Sequence, residues 1–565
     1  MRESDRPDGS MWLQAFGRVE RWISARPGRL KFCASFVLYA VLLTPSIWAL
    51  NVIPPLWRDI DAYVQVTQPP GPETILNYGP LYCFVARIPL YLGYAIDCVA
   101  GSAPLPTPGF FVHPILTDSG VFALLLLQHI SLCFAAFHLI AETTRLFWVR
   151  LALAVAWAAN PLFYTLAHCV GTETLTLILV LLIAATGLRI IRYSRRVRGT
   201  EWLLFGFLLW LCILTRHISA TLAGLLPLTF LLLSAYRSIM IGFARSQLLR
   251  RWQRLRARQA LRKAMFAVGV GISCIVLANI SLRGLCYAAQ IPYHSRVGFT
   301  FLFRLKFLAG LSVEERNQLL DKVIKNTDSA DVKRLIPLLR NSFPDETPNW
   351  DVIAFKKKAQ ASLFPPQTDP REEKFYLALN RTVLAFLCPP QAIFLSAVAS
   401  DFKRSQEVTI PTVVRQLFVA TAFYFTHPQI MPGCASLRTF RGKSSAQVMA
   451  IFKKHYFQHP KNRNFRALLF FWLISFALFV VIANIRKQGA AGLASYAAAL
   501  TAVGLFMMLA NCVLIVFQPR YTLPMWELTI VSVSILSAKT LEYIFGGENK
   551  GKKSRFRILQ IQHEL

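Results

Sequence analysis

A chain of 565 residues in which 55% of side chains are hydrophobic and only 16% charged is far poorer in charge than the roughly 25% of an average soluble domain. That excludes a soluble globular protein and makes lipid the solvent for most of its surface. Its 62 Lys and Arg outnumber 29 Asp and Glu, for a net +33, but the bases cluster between apolar runs, so membrane topology accounts for them and nucleic acid does not.

In chain order, residues 1–31 form a polar N-terminus carrying Arg18, Arg21, Arg26, Arg29 and Lys31. The first apolar run, Phe32 to Leu50, follows without a small-residue cleavage site and is expected to stay as an anchor. A helix needs about twenty apolar residues to cross the hydrocarbon core. Such runs lie near 32–50, 119–140, 151–167, 172–191, 202–215, 218–236, 264–281, 466–484, 491–515 and 523–544. The expected fold is therefore an all-α polytopic membrane protein of about ten transmembrane helices, with modules at 32–281 and 466–544. A mostly helical extracytoplasmic domain at 282–465 separates helices seven and eight, and a basic tail occupies 545–565.

Orientation follows from the rule that loops rich in Lys and Arg stay cytoplasmic. Arg189 to Arg198 holds five arginines, and Arg237 to Lys263 holds nine bases and no acid. Under the ten-span count both fall on one side, with the N-terminus, the Arg486-Lys487 turn and the tail from Lys550 to Arg557. The loop 51–118 and the domain 282–465 fall on the other. Within the domain, Glu314 to Lys325 and Asp331 to Leu339 read as amphipathic helices. Val383 to Ala399, broken by Pro389-Pro390, and Val413 to Phe425 read as interfacial helices. Leu81 to Ala100 is apolar but carries Arg87, Pro89 and Asp97, and counting it as a span inverts every later loop. It reads as a helix lying on the outer surface.

The eleven cysteines show neither CxxC pairs nor Cys/His clusters, so no zinc site or disulfide framework is indicated. Cys83 and Cys98 read as buried thiols rather than as a pair. Asn380-Arg381-Thr382 has the form of a glycan acceptor, the one feature pointing to a lumenal rather than a periplasmic outer side.

Chemistry concentrates in Arg58-Asp59-Ile60-Asp61-Ala62-Tyr63, directly after the first span. Two carboxylates so spaced suit either a divalent cation or the removal of a proton from an acceptor hydroxyl. The alternative is a solvated loop in which Arg58 pairs with Asp59. Further on come Tyr78-Gly79-Pro80-Leu81-Tyr82, then Asn160-Pro161-Leu162-Phe163-Tyr164 leading to Gly171-Thr172-Glu173, and finally Gln518-Pro519-Arg520-Tyr521-Thr522-Leu523-Pro524. Glu173 heads a helix, where the dipole also favours a carboxylate. Arg520 either snorkels to headgroups or meets a phosphate, for which a planar guanidinium is suited. Arg216-His217 in a tight outer turn and His168 are weaker binding candidates, each with a snorkelling or satisfied-histidine alternative.

The order of these elements resembles the GT-C superfamily of membrane glycosyltransferases, in particular its protein mannosyltransferase-like and aminoarabinose transferase-like bacterial branches. The likeness covers the first 236 residues and the last hundred. It implies an enzyme that moves a sugar from a polyprenyl-phosphate donor to a glycan, lipid or protein acceptor on the outer face, in a bacterial inner membrane with a periplasmic active face. It also implies that the acidic residue after the first helix is the base or a substrate ligand, here Asp61 or Asp59, with Asp61 favoured because it stands two residues before Tyr63. The second acidic position matches Glu173, and the arginine of the last outer turn matches Arg520. Tyr82, Arg216, His217 and His168 complete the candidate substrate contacts. The sequence names no cofactor and leaves a divalent cation on Asp59 and Asp61 open. Where the aminoarabinose branch places a lysine before its Pro-Leu pair, this chain has Tyr78-Gly79. A transporter or flippase of a lipid-linked or anionic solute is the alternative, but no internal repeat is visible and the charges gather at the outer surface instead of the midplane.

Overall fold

The computed structural model describes residues 29–545, apart from 72, 78, 107–114, 193–198, 244–245, 295, 344–349, 365–370, 428, 432, 435–436, 439–443, 445, 448–449, 451–463, 487–489 and 516. The protein is an all-α polytopic membrane protein. Among the described residues the only strands are β1 (Leu56–Trp57) and β2 (Cys169–Val170), paired in parallel. Nine described helices are long and apolar enough to cross a bilayer, or ten if one bent pair counts as a single span.

The first part of the chain comprises α1 (Arg29–Val52), α2 (Ile60–Thr67), α3 (Pro80–Val99), α4 (Asp118–Thr143), α5 (Phe147–Ala158), α6 (Pro161–Ala167), α7 (Thr172–Arg192) and α8 (Gly199–Thr215). A 3-10 turn at His217–Gly224 leads to α9 (Leu225–Gly242) and the 42-residue α10 (Gln247–Ala288). The middle segment holds α11 (Arg296–Arg304), α12 (Val313–Lys325), α13 (Ala330–Arg340), α14 (Val352–Leu363), α15 (Arg371–Leu387), α16 (Ala392–Glu407) and α17 (Ile410–Thr426). The chain closes with α18 (Phe465–Ile485), α19 (Ala491–Leu514) and α20 (Leu523–Phe545).

Three stretches depart from simple apolar spans. The run at 151–167 is two helices, α5 and α6, meeting at 66°. Pro161 brings no N–H to continue α5, and the Asn160 side chain accepts from Leu162 N at 3.1 Å, so a new helix starts there. Second, α8 has 17 residues, at the lower limit for a crossing. Third, α3 qualifies as a span by length and composition, and both of its ends are tied to neighbouring helices. At its start Gly79, at φ +94°, lies so close to the last carbonyls of α8 that a Cβ would sit 2.5 Å from Thr215 O. At its end Asp97 accepts from Ser119 at the head of α4 at 2.6 Å. The other end of α4 is at the opposite side, where Arg192 donates to Thr143 O at 3.3 Å. Helix α3 thus packs along α4, with Gly93 and Gly120 in backbone contact, its start beside the end of α8 and its end beside the start of α4.

Helices α15 and α16, which contain the apolar stretch Val383 to Ala399, contribute buried aromatic side chains to the middle segment. Phe301 and Phe307 pack edge-on against Phe386 and Phe394 at 5.5–6.3 Å, and the buried Arg304 is paired with Asp401. The acceptor triplet lies inside α15, where Thr382 is fully buried and donates to Ala378 O at 2.9 Å, so it is not presented as a glycan site. Helix α17 docks on β1: the Thr421 hydroxyl accepts from Trp57 N at 2.9 Å and lies 3.2 Å from Trp57 O. Cys83 and Cys98 are both free thiols.

Candidate functional site

The β1/β2 ladder brings two distant sequence segments to one level. Arg58 N donates to Val170 O at 3.2 Å, which sets Arg58-Asp59 beside Gly171-Thr172-Glu173. Gly171 leaves no room for a side chain: a Cβ would lie 2.9 Å from Glu173 Oε2 and 3.0 Å from Arg58 Cβ. The corner is braced from α3 and α4. Tyr82 Oη accepts from Gly171 N at 2.9 Å and lies 3.0 Å from Gln128 Oε1, while Gln128 donates to Ala167 O and Cys169 O at 3.0 and 3.1 Å. Tyr82 is thus a strut behind the corner.

Five charged side chains join there into one row. Arg58 Nε donates to Asp59 Oδ1 at 2.8 Å, and its Nη1 donates to Thr172 Oγ1 at 3.0 Å and reaches Glu173 Oε2 at 3.6 Å. Glu173 Oε1 meets Arg216 Nη1 at 3.6 Å, and Arg520 Nη1 binds Asp59 Oδ2. The row runs Arg216, Glu173, Arg58, Asp59, Arg520 and draws on four separate parts of the chain. Arg58, Asp59 and Glu173 are buried, Arg216 and Arg520 half-buried.

The two carboxylates of the Asp59/Asp61 pair have different surroundings. Asp59 caps α2, accepting from Ala62 N at 3.1 Å, as well as pairing with two guanidiniums. Burial alone raises its carboxyl, but Arg58 and Arg520 outweigh burial and hold it at about 2, below its ordinary 3.8. Asp61, in the first turn of α2, is half-buried, and its charge acts on Arg58. This pair does not fit a divalent cation, because both Asp59 oxygens face arginines and a cation would meet two positive charges. Among the described residues no group of three or more His, Cys, Asp or Glu has a metal-binding arrangement.

The remaining candidates divide. His217 begins the 3-10 turn next to Arg216, and its Nε2 is buried without a hydrogen-bond partner among the described residues. His168 stays outside the row. Its Nε2 donates to Ile53 O at 2.8 Å, its Nδ1 lies 3.1 Å from His129 Nε2, and burial pushes the ring down to about 4. It is a neutral, satisfied histidine that ties α1 to the segment before β2.

Two members of the site do not stand out in the sequence. Arg58 reads as a local loop partner of Asp59, whereas it is the hub linking both carboxylates. Glu527, in the first turns of α20, is buried, faces Arg216 and Glu173, and lines a small hollow with Trp157, Asn160 and Phe163. The signal for Glu527 was available: an acid inside an otherwise apolar helix is costly unless it faces a partner or a cavity.

No family model matches the chain, and no curated protein matches it. Among solved structures it is similar to the crystal structure of the Archaeoglobus fulgidus oligosaccharyltransferase in the apo form, at 10% identity and a TM-score of 0.35, over 93% of this chain and 52% of that one. The chain thus spans about half the length of that structure.

Proposed function

We propose that this protein is a membrane glycosyltransferase that moves a sugar from a polyprenyl-phosphate donor to an acceptor hydroxyl at the outer face of a bacterial inner membrane. The observation that carries the reading is the charged row, in which three guanidiniums and two carboxylates, with Asp61 beside them, converge from four sequence segments. In lipid such a concentration is retained for a charged ligand or reaction.

Each group has a role that its surroundings support. The acceptor oxygen attacks the anomeric carbon, the bond from that carbon to the phosphate oxygen breaks, and the acceptor proton passes to Asp61. Polyprenyl phosphate leaves with the bonding pair, and its charge is met by Arg520 and Arg216, whose forks suit phosphate oxygens. Glu173 and Asp59 aim those arginines and Arg58 holds both carboxylates, so the donors are oriented before substrate arrives. The acceptor is a glycan, lipid or protein hydroxyl.

Purified protein in proteoliposomes, offered a panel of radiolabelled polyprenyl-phosphate hexoses and pentoses, should release sugar from at least one to an acceptor. Movement of the lipid-linked sugar across the bilayer with no transfer would replace this reading by a transporter. The finer assignment is tested on Arg520. Pro519 and Pro524 restrict the backbone around it and so aim the side chain. Donor affinity should fall for Arg520→Lys, which keeps the charge but loses the paired planar hydrogen bonds, and fall further for Arg520→Ala. Equal donor binding by wild type and Arg520→Lys would mean that the arginine serves only to pair with Asp59.

A further inference from the structure

Helices α9 and α10 form an antiparallel hairpin on the side where the basic clusters gather. Ser234 donates to Ala257 O at 3.1 Å and Arg237 to Arg256 O at 2.8 Å, which fixes the alignment. The edge of the bundle on that side is marked by Arg189, paired with Glu142 and Glu201 at 3.5 and 3.4 Å. Next to Glu201, Trp202 packs against Phe230 of α9 and Phe266 of α10, at ring separations of 6.3 and 5.0 Å. Everything in the hairpin beyond Phe230 and Phe266 therefore projects past the rest of the bundle. At 1.5 Å per residue, 231–242 extends about 18 Å and 247–263 about 25 Å, whereas the headgroup layer is only about 6 Å thick on each side.

The projecting part combines two chemistries. Arg251, Arg254, Arg258 and Arg262 are all exposed and fall at i, i+3, i+7 and i+11, one face of α10, and no Asp or Glu occurs anywhere in 237–263. On the bilayer side of Arg258 and Arg262 are exposed apolar side chains: Leu231 at 47%, Met265 at 60% and Phe266 at 56%. A ligand matching both faces needs an anionic head and an apolar body, which is the chemistry of an acidic phospholipid.

We propose that this hairpin is a docking site for anionic phospholipids of the leaflet on its own side, with phosphates on Arg258 and Arg262 and acyl chains along Leu231, Met265 and Phe266. The membrane supplies this occupant at the correct height for Arg258 and Arg262. The bases farther out act on the surface potential, which decays over roughly 8 Å. The inference does not depend on the glycosyltransferase reading.

The test uses the full chain in nanodiscs of phosphatidylcholine with and without about one third phosphatidylglycerol, an anionic content within the range that attracts basic segments. Phospholipid retained after extraction is counted, and hydrogen exchange is followed over 247–263. Wild type should enrich phosphatidylglycerol over the bulk and exchange more slowly when it is present. An R251Q/R254Q/R258Q/R262Q variant should lose the enrichment, with affinity falling about fivefold per arginine removed, while the corresponding lysine variant keeps most of it. Unchanged exchange in α7 shows that each variant is folded. Equal enrichment by wild type and the glutamine variant would overturn the proposal. So would exchange that is indifferent to phosphatidylglycerol but slowed by an acidic amphipathic peptide, which would make the occupant a protein.

Discussion

Arg58→Met should destabilise the protein by about 3–5 kcal/mol, the range for removing one partner of a buried ion pair. Arg58 is 6% exposed and is the one group that touches both Asp59 and Glu173. Without it Glu173, at 3% exposure, keeps the 3.6 Å contact to Arg216 and a 3.4 Å hydrogen bond from Thr172, and Asp59 keeps Arg520 and its cap bond to Ala62. Methionine fills much of the same space, so the loss reports charge more than a cavity. Denaturant titration in detergent micelles measures it. Adding Glu173→Gln to Arg58→Met should restore part of the stability, because one uncompensated carboxylate disappears with it. A single variant within about 0.5 kcal/mol of wild type would show that the row does not hold the corner together.

Acid should reveal the same contacts in the wild type. The folded Asp59 carboxyl is held at about 2 against an ordinary 3.8, so its pairing contributes stability that is complete above about pH 4. That contribution is lost as pH falls through 2. In Arg58→Met the window narrows, because Arg520 alone then depresses the carboxyl.

The apolar runs were legible in the sequence because they follow from local composition: lipid solvates continuous apolar stretches. Features set by contacts between distant segments were not. Helix α3 carries Arg87, Pro89 and Asp97 within its apolar run, but that its ends meet Thr215 and Ser119 is set by contacts with α8 and α4. The Asn160-Pro161 break, by contrast, carried a readable signal in a capping residue followed by proline. The meeting of Arg58 with Glu173 depends on a ladder of two residues per strand, too short to leave a pattern, and Arg216 and Arg520 reach it from two separate 3-10 turns. One distinction within the Asp59-Ile60-Asp61 triplet was there to be read: an aspartate immediately before a helix is a capping residue. Asp59 fills that position, and the pairing of its side chain with two arginines leaves it poorly placed to take up a proton.

Asp61→Asn should lower glycosyl transfer by about a hundredfold to ten-thousandfold, the usual contribution of a positioned general base, with little change in stability or in donor affinity. Asparagine keeps the shape of the side chain and its capacity to hydrogen-bond but cannot accept the acceptor's proton. Donor binding is assigned to Arg520 and Arg216, which the substitution leaves in place, so the loss should appear in kcat and not in KM for the donor. Asp59→Asn makes the informative contrast. It removes a charge held between Arg58 and Arg520, so its main effects should be lower stability and misaimed arginines, with donor KM rising more than kcat falls. The two variants therefore separate by which kinetic constant moves. Wild-type turnover by Asp61→Asn, with Asp59→Asn losing kcat instead, would transfer the base to Asp59. Wild-type turnover by the double variant would remove both carboxylates from the chemistry.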